Sequence, residues 1–306
     1  MCRHSFPSID GNLEFVFRHP ETTLIYMKHR RYIFLLAMIT GIFLSCNKHD
    51  SGYTPATPNP TVPTPPADQF FLKDLVVPGV PNPYYHFEYD QSGIITHVSF
   101  ASGFRMYDLI YDGRRLSEVR NNTSVNKDRL QYNYDNTGKV NLINFVDNTG
   151  KLFRRSFFIY DDEQLVKIES ELNIDGTFKK ERTMNFAYQP DGNLMDMTDQ
   201  RFALGSQTAS LYTDHYEQYD DKINKDVFSV IHQDFTEHLV LLPGVRFQKN
   251  NAAKLTRSGS PNNFTVNYTF TYNDKNVPLA AAGDFVWTSG SDAGKHFAVG
   301  SQFSYY

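Results

Sequence analysis

The stretch that decides the fold is LIYDGRRLSEV, residues 109–119. Leu109 and Tyr111 are two residues apart, so in a strand they share one face. Asp112 and Gly113 are typical turn residues, because aspartate accepts nearby backbone N–H groups and glycine tolerates positive φ. An apolar return segment follows at residues 116–119. The stretch therefore predicts a β-hairpin.

The same unit recurs along the chain. An aromatic residue or leucine, then a tyrosine and usually an aspartate, precede a turn, and two aliphatic residues spaced by three follow it. The first aliphatic residue follows the tyrosine by 6, 5, 6, 5 and 6 positions in five copies. Their tyrosines are Tyr89, Tyr111, Tyr134, Tyr160 and Tyr188, and degenerate copies begin at Tyr219 and Phe270. Local hairpins in series predict an antiparallel meander.

Two further patterns shape this prediction. The sequence DNTGK occurs at 135–139 and again at 147–151, which indicates turns at both ends of the strands. The spacing of three within each aliphatic pair puts its members on opposite faces of a regular strand, unless a bulge intervenes. Either both faces are partly covered or the sheet is strongly curved.

The fold class predicted is all-β, a curved antiparallel meander that forms a half-barrel or barrel-like sheet of roughly 12–14 strands. A short helix or loop is expected near residues 225–243, where Val227, Ile231 and Phe235 are spaced as on an amphipathic helix. The chain ends in His296–Tyr306, which we expect to be an edge or closing strand.

Composition excludes some classes of protein. The 306 residues include 30 Lys plus Arg against 34 Asp plus Glu, so the net charge of -4 gives no electrostatic footprint for nucleic acid. Aromatic residues make up 15% of the chain, which favours strands. Two cysteines, Cys2 and Cys46, cannot form a disulfide framework or a cysteine-based zinc site.

The N-terminal region predicts an export signal. Tyr32–Leu44 is apolar but too short for a spanning helix of about 20 residues, and the basic cluster 28–31 precedes it. The four residues 43–46, Phe-Leu-Ser-Cys, resemble a bacterial lipobox, with Phe in place of the usual Leu. We therefore expect a signal peptide over 1–45, with Met27 as the true start, and lipid attachment at Cys46. The alternative is a buried helix with an incidental cysteine.

The next segment predicts a tether. Residues 46–69 are polar and rich in proline, a composition that favours extended polyproline II over a packed core. Residues 70–306 then form a single β-meander domain. This organisation places the domain at the outer membrane or cell surface, on the periplasmic or extracellular face.

The Tyr-Asp units, above all residues 111–116, resemble the YD repeats of bacterial shell-forming proteins. Across residues 80–285 the chain resembles a family of Gram-negative outer-membrane lipoproteins of unknown function with a porin-like fold. The resemblance rests on the hairpin series, on residues 219–224 (YDDKIN), and on Leu241-Leu242-Pro243 followed by 249–251 (KNN). Lys225 stands where the family has proline. The resemblance implies an acylated, barrel-like domain and no catalytic residues.

Several polar clusters are candidates for chemistry. Asp234 and His238, within the cluster 232–238, share a helix face at i, i+4, which suits either a metal site with further ligands or a solvated surface. Alternation places His215 and Glu217 on one strand face and Asp214 on the other, and we interpret all three as strand surface.

Other acidic and aromatic groups have simple interpretations. The pairs Asp161-Asp162 and Asp220-Asp221 are expected in turns. Residues 173–177 (NIDGT) lack the later ligands of a calcium loop and predict a β-turn. Trp287 could stack on a sugar ring or belong to the core. No catalytic residue, metal site or cofactor is assigned, and the ligand-binding residues stay unknown.

Three functional hypotheses follow. The first is a non-enzymatic, lipid-anchored module that binds or scaffolds a glycan or an envelope protein. The second is a hydrolase that uses carboxylates on a curved sheet, and it requires a pocket with two carboxyls of raised pKa. The third is a barrel that itself spans the membrane; strands near eight residues long, with polar side chains such as Lys139 and Asn141 on their faces, argue against it.

Overall fold

The computed structural model describes residues 70–306, except 125, 206, 226–240 and 260–262. The predicted signal peptide, Cys46, the tether up to residue 69 and most of the 225–243 segment lie outside the described residues. No helix within the described part is long and apolar enough to cross a membrane.

The described residues form sixteen strands, each antiparallel to its neighbours, and the pairing of β1 with β16 closes them into a barrel. The strands are β1 Leu72–Val76, β2 Tyr85–Tyr89, β3 Ile95–Phe100, β4 Arg105–Asp112, β5 Arg115–Asn121, β6 Arg129–Tyr134, β7 Val140–Val146, β8 Leu152–Asp161, β9 Gln164–Ile174, β10 Thr177–Tyr188, β11 Leu194–Arg201, β12 Ser210–Tyr219, β13 Ala252–Ser258, β14 Phe264–Tyr272, β15 Pro278–Trp287 and β16 His296–Tyr305. The all-β, barrel-like meander is confirmed. The prediction of 12–14 strands was too low, because β1 and the strands after residue 251 do not carry the complete repeat.

A β-bulge explains the spacing of three in the aliphatic pairs. Tyr111 lies opposite Leu116, whereas Ile110 lies opposite Glu118, so Ser117 is an extra residue in β5. The extra residue restores both members of the pair, Leu116 and Val119, to the buried face. The same extra residue occurs after five other turns, at Thr96, Asn141, Val166, Met195 and Leu279.

Aspartates at strand ends form the predicted turns. The Asp135 carboxylate accepts the backbone N–H groups of Thr137 at 2.9 Å and Lys139 at 3.0 Å. Asp147 accepts the corresponding groups of its own copy of DNTGK at the other end of the barrel. We call the end that carries residues 135–139 the tyrosine end, because the tyrosine of each repeat lies there, and the other the distal end. Residue 70 and the C-terminal Tyr306 both lie at the tyrosine end, where the Tyr306 N–H donates to the Phe71 carbonyl.

The two faces of the sheet differ in chemistry. The inner face carries the apolar core, which includes buried side chains from most of the strands. The outer face is polar, and cross-strand pairs join neighbouring strands there. Three of these pairs are His86–Asp74 at 2.6 Å, His97–Asp108 at 3.0 Å and His215–Asp196 at 2.7 Å. The inner face is therefore mainly apolar, and the outer face carries polar cross-strand pairs.

Candidate functional sites at the two ends of the barrel

A ladder of tyrosine hydroxyls joins successive repeats at the tyrosine end. The Tyr111 hydroxyl donates to the Ile95 carbonyl at 2.8 Å, and the Tyr134 hydroxyl donates to the Leu116 carbonyl at 2.7 Å. Each acceptor is the first aliphatic residue of the preceding repeat. Burial is the main cause that raises the pKa of Tyr111 to about 12, so the phenol stays a neutral donor at physiological pH. Equivalent bonds are Tyr89 to Leu72, Tyr188 to Leu165 and Tyr219 to Leu194.

Two of the sequence motifs meet at the base of the long β12–β13 connection. The Asp220 N–H donates to the Asn251 carbonyl at 3.1 Å, and the Asn224 N–H donates to the Lys249 carbonyl at 2.9 Å. The Asp220 carboxylate accepts the Lys222 N–H at 3.0 Å, as expected of a turn aspartate, and it also accepts the Tyr272 hydroxyl. The motifs are therefore the stem of this connection.

The connection also contributes to the core. Leu241 and Leu242 are buried among the inner side chains, and the ring of Phe247 lies 4.8 Å from that of Phe186. The Leu194 N–H donates to the Phe247 carbonyl at 3.1 Å. These contacts place residues 241–247 over the tyrosine end of the barrel. In the described parts of the 225–243 segment, residue 225 and residues 241–243, the chain has no helix.

Asn193 holds the returning arm of the connection. Its side-chain oxygen accepts the N–H groups of Lys249 at 2.9 Å and Asn250 at 3.0 Å, and the side chain is almost completely buried. Sequence reasoning missed this residue. The available signal was an asparagine placed directly after the turn glycine Gly192, a position where a polar side chain is not needed for the turn.

A polar cleft of about 440 Å³ lies beside this connection, next to the β8–β9 hairpin. Asp161, Asp162 and Glu163 line one side, and Arg246 and Lys249 line the other. Glu163 also lies 3.1 Å from the ammonium group of Lys139. The turn position predicted for Asp161-Asp162 is confirmed, and the cleft is a site for ionic contacts.

Buried ion pairs join neighbouring strands on the inner face of the barrel. Both oxygens of the Asp214 carboxylate accept hydrogen bonds from the Arg257 guanidinium, at 2.7 Å and 2.6 Å. That guanidinium also lies 3.7 Å from the centre of the Tyr212 ring. Asp199 and Arg182 form a second such pair, at 2.7 Å and 2.9 Å. Because each carboxylate is engaged by a guanidinium at both oxygens, these groups are structural partners rather than a catalytic pair.

The ion pairs correct one sequence interpretation. Asp214 was expected at the strand surface, but its side chain is 0% exposed. The alternation was right, since His215 and Glu217 lie on the outer face against Asp196 and Lys254. The burial of Asp214 was not predicted because its counter-ion, Arg257, lies 43 residues further along the chain.

The remaining candidates are simple structural features. Asp175 and Gly176 have positive φ values of 51° and 87° in a two-residue hairpin, which confirms the β-turn at 173–177. Trp287 packs edge-on against Phe264 and Phe285, with ring centres 5.8 Å and 4.7 Å away. The described residues contain no group of three or more His, Cys, Asp or Glu that could hold a metal ion. The 232–238 cluster lies outside them.

The interior is exposed at the distal end along β16. The inner-facing Phe297 and Val299 are 45% and 36% exposed, whereas Phe303, on the same face nearer the tyrosine end, is 6% exposed. Phe297 contacts the half-buried Phe285 at a ring distance of 6.3 Å. The two ends therefore differ: a loop packs over the tyrosine end, and the distal end leaves apolar side chains accessible.

Comparisons with known proteins support the fold. No protein-family model and no curated protein match the chain by sequence. A porin-like protein from Bacteroides uniformis has a similar structure, with a TM-score of 0.52 and 13% identity over 72% of this chain and 89% of that one. A porin-like protein from Bacteroides vulgatus gives a TM-score of 0.51 and 12% identity over 77% of this chain and 99% of that one. The chain thus has the porin-like barrel fold.

Proposed function

We propose that this chain is a lipid-anchored cell-envelope protein whose barrel lies in water and acts as a non-enzymatic module that binds or scaffolds a glycan or another envelope protein. The observation that carries the proposal is the polarity of the outer face. A barrel in lipid needs an apolar outer band, since a charged side chain there costs about 2–4 kcal/mol at the bilayer midplane. The outer face has instead the His–Asp pairs His86–Asp74, His97–Asp108 and His215–Asp196.

The interior supports binding rather than conduction. Buried apolar side chains such as Val119, Ile143 and Met197 line it, and the Asp214–Arg257 and Asp199–Arg182 pairs occupy polar positions on the same face. A conducting pore requires a water-filled lumen. The engaged carboxylates also give the hydrolase hypothesis no pair of free acids.

The chain enters the barrel at its tyrosine end. The first described residue, Phe70, lies at the tyrosine end, where its ring contacts that of Tyr305. A tether that begins at a lipidated Cys46 therefore joins this end, and the distal end is the end remote from the attachment point. A ligand outside the membrane would meet the accessible aromatic side chains there.

A comparison of wild type with one variant tests whether the lipid anchor, rather than the barrel, holds the protein at the membrane. Wild type and Cys46→Ser are expressed as full chains in a Gram-negative host, fed a clickable fatty acid and extracted with a detergent that separates into two phases. Wild type is expected to carry the label and enter the detergent phase, because two or three acyl chains anchor firmly. The Cys46→Ser protein is expected to lack the label and enter the aqueous phase. Its retention in the membrane after a carbonate wash would contradict a barrel in water.

The ligand class needs a separate experiment. Wild type is applied to a glycan array and used in pull-downs from envelope extracts. Binding that is lost on Trp287→Ala and Phe297→Ala indicates the distal end. Absence of signal in both assays would leave only a structural role.

A further inference from the structure

At the strand pair that closes the barrel, β16 extends beyond the end of β1, which leaves a step in the barrel wall. β16 has ten residues, whereas its partner β1 has five, and their pairing ends where Val76 lies opposite Gln302. On its other side β16 stays paired with β15 up to His296. Among the described residues, no backbone group pairs with the β1 side of His296–Ser301. We call this six-residue stretch the free edge.

The chain itself cannot extend β1 along the free edge. The N–H of Val77, directly after β1, donates to the Asn82 side chain at 2.8 Å. Pro78 follows, and proline has no N–H to donate to a neighbouring strand. Two more prolines, Pro81 and Pro83, lie in the same connection. The step is therefore built into the sequence after β1.

The hydrogen-bond pattern shows which groups the free edge presents. The Lys295 carbonyl accepts from Trp287 on the β15 side, and the Tyr306 N–H donates to Phe71 on the β1 side. Backbone groups alternate between the two sides of an antiparallel strand. Odd-numbered residues of β16 therefore bond to β15, and His296, Ala298 and Gly300 direct their N–H and C=O groups towards the free edge.

The side chains beside these groups are apolar and unprotected. Natural proteins protect sheet edges with charged residues, proline or bulges. The stretch 297–301 (FAVGS) has no charged residue and no proline, and its pairing with β15 is regular. Phe297 and Val299 remain accessible on the inner face of the same stretch. The unpaired amides and carbonyls can form hydrogen bonds with the backbone of an extended polypeptide. The accessible apolar side chains can contact alternate apolar residues of the same polypeptide.

We propose that the free edge, His296–Ser301, receives an extended polypeptide segment of an envelope partner as an additional β-strand. Main-chain hydrogen bonds hold such a segment, and alternate side chains select it. The segment would continue the wall above β1 and cover Phe297 and Val299. This inference names the partner class of the proposed binding module, and it depends on neither the lipid anchor nor the orientation of the barrel.

The test uses the full chain in mild detergent and a labelled heptapeptide, Lys-Val-Thr-Val-Thr-Val-Lys. Amide-resolved hydrogen exchange of the free protein is expected to be fast at Ala298 and Gly300 and slow at Phe297 and Val299. Saturating peptide should slow exchange at Ala298 and Gly300. A peptide with alternate N-methylated amides should not bind, because one edge of its strand has lost its donors.

Two variants of one residue provide the mutational control. Ala298→Pro removes an N–H that has no hydrogen-bond partner in the described barrel, so the fold should be retained. Peptide affinity should fall about tenfold, which is the equivalent of one hydrogen bond. Ala298→Thr retains the N–H and should bind within about twofold of wild type. Circular dichroism of both variants verifies the barrel.

Three results would overturn the proposal. These are no peptide binding at millimolar concentration, binding without protection of Ala298 and Gly300, and protection of those amides before peptide is added. If the early protection rises with protein concentration, the occupant is a second copy of this chain instead. Failure of the lipid-anchor experiment would leave all of these measurements unaffected, so the two proposals can fail separately.

Discussion

The hydroxyl of Tyr134 donates a 2.7 Å hydrogen bond to the carbonyl oxygen of Leu116, the first aliphatic residue of the preceding repeat. The tyrosine that identifies a repeat in sequence is thus the residue that ties it to its neighbour. A bulge in the returning strand accompanies this bond, since Tyr134 lies opposite Val140 and Asn133 lies opposite Leu142. One unit of sequence therefore encodes a turn, a bulge and a link between hairpins.

Removal of one such hydroxyl should destabilise the barrel. Tyr134→Phe is expected to lower the free energy of unfolding by about 1 kcal/mol, because the Leu116 carbonyl loses its donor. Tyr160→Phe is the matched control, since the buried Tyr160 hydroxyl has no hydrogen-bond partner among the described residues. The control should be neutral or slightly stabilising in urea denaturation. Equal losses in the two variants would show that the ladder bond contributes nothing.

Loss of the interior ion pair Asp214–Arg257 should lower the free energy of unfolding far more than loss of a surface pair on the same strand. Asp214→Asn leaves the Arg257 guanidinium in the interior without its counter-ion, and breaking a buried pair in this way costs about 3–5 kcal/mol. Glu217→Gln removes the carboxylate from the half-exposed pair with Lys254, and an exposed pair of this kind contributes little or nothing to stability. Thermal or urea unfolding of both variants measures the difference. A loss below about 1 kcal/mol in Asp214→Asn would contradict the role given to the pair.

These residues also mark what the sequence could and could not predict. Tyrosine, turn aspartate and aliphatic pair lie within about ten residues of one another, so local spacing was sufficient to predict the hairpins and the turns at 135–139 and 147–151, whereas it left the bulge as one of several alternatives. Closure of the barrel depends on contacts such as that of Ser304 with Asp74, 230 residues apart. Arg257 and Asp214 likewise meet only after the sheet has formed. Such pairings leave no local signal in one sequence.

The turn aspartates should make stability depend on acid. The Thr137 hydroxyl and then the Lys139 N–H hold the pKa of Asp135 below its ordinary value, and Thr149 and Lys151 lower the pKa of Asp147 in the same way. A carboxyl whose pKa is depressed in the folded state stabilises the fold above the ordinary aspartate pKa of about 3.9. That contribution is lost as the pH falls through the depressed folded-state pKa.

A double variant tests this dependence. In Asp135→Asn with Asp147→Asn, amide oxygens can accept the same N–H groups without titrating. The native chain already uses this arrangement at Asn273, which accepts from Lys275 and Val277. The melting temperature of the variant should fall less than that of wild type when the pH is lowered from about 6 to 2. Parallel curves would show that these two aspartates do not contribute to acid denaturation.

Loss of Asn193 should open the tyrosine end without unfolding the barrel. Asn193→Ala leaves the N–H groups of Lys249 and Asn250 without their acceptor, and each buried donor left unsatisfied costs about 1–3 kcal/mol. The strands do not depend on this contact, so the cost should appear as local opening of the connection. Hydrogen exchange is expected to accelerate at residues 244–251 and to stay unchanged at Val119 and Ile143. Asn133→Ala, which removes an exposed side chain on β6, should accelerate neither region. Uniform acceleration across the barrel in Asn193→Ala would mean that the connection and the strands unfold as one unit.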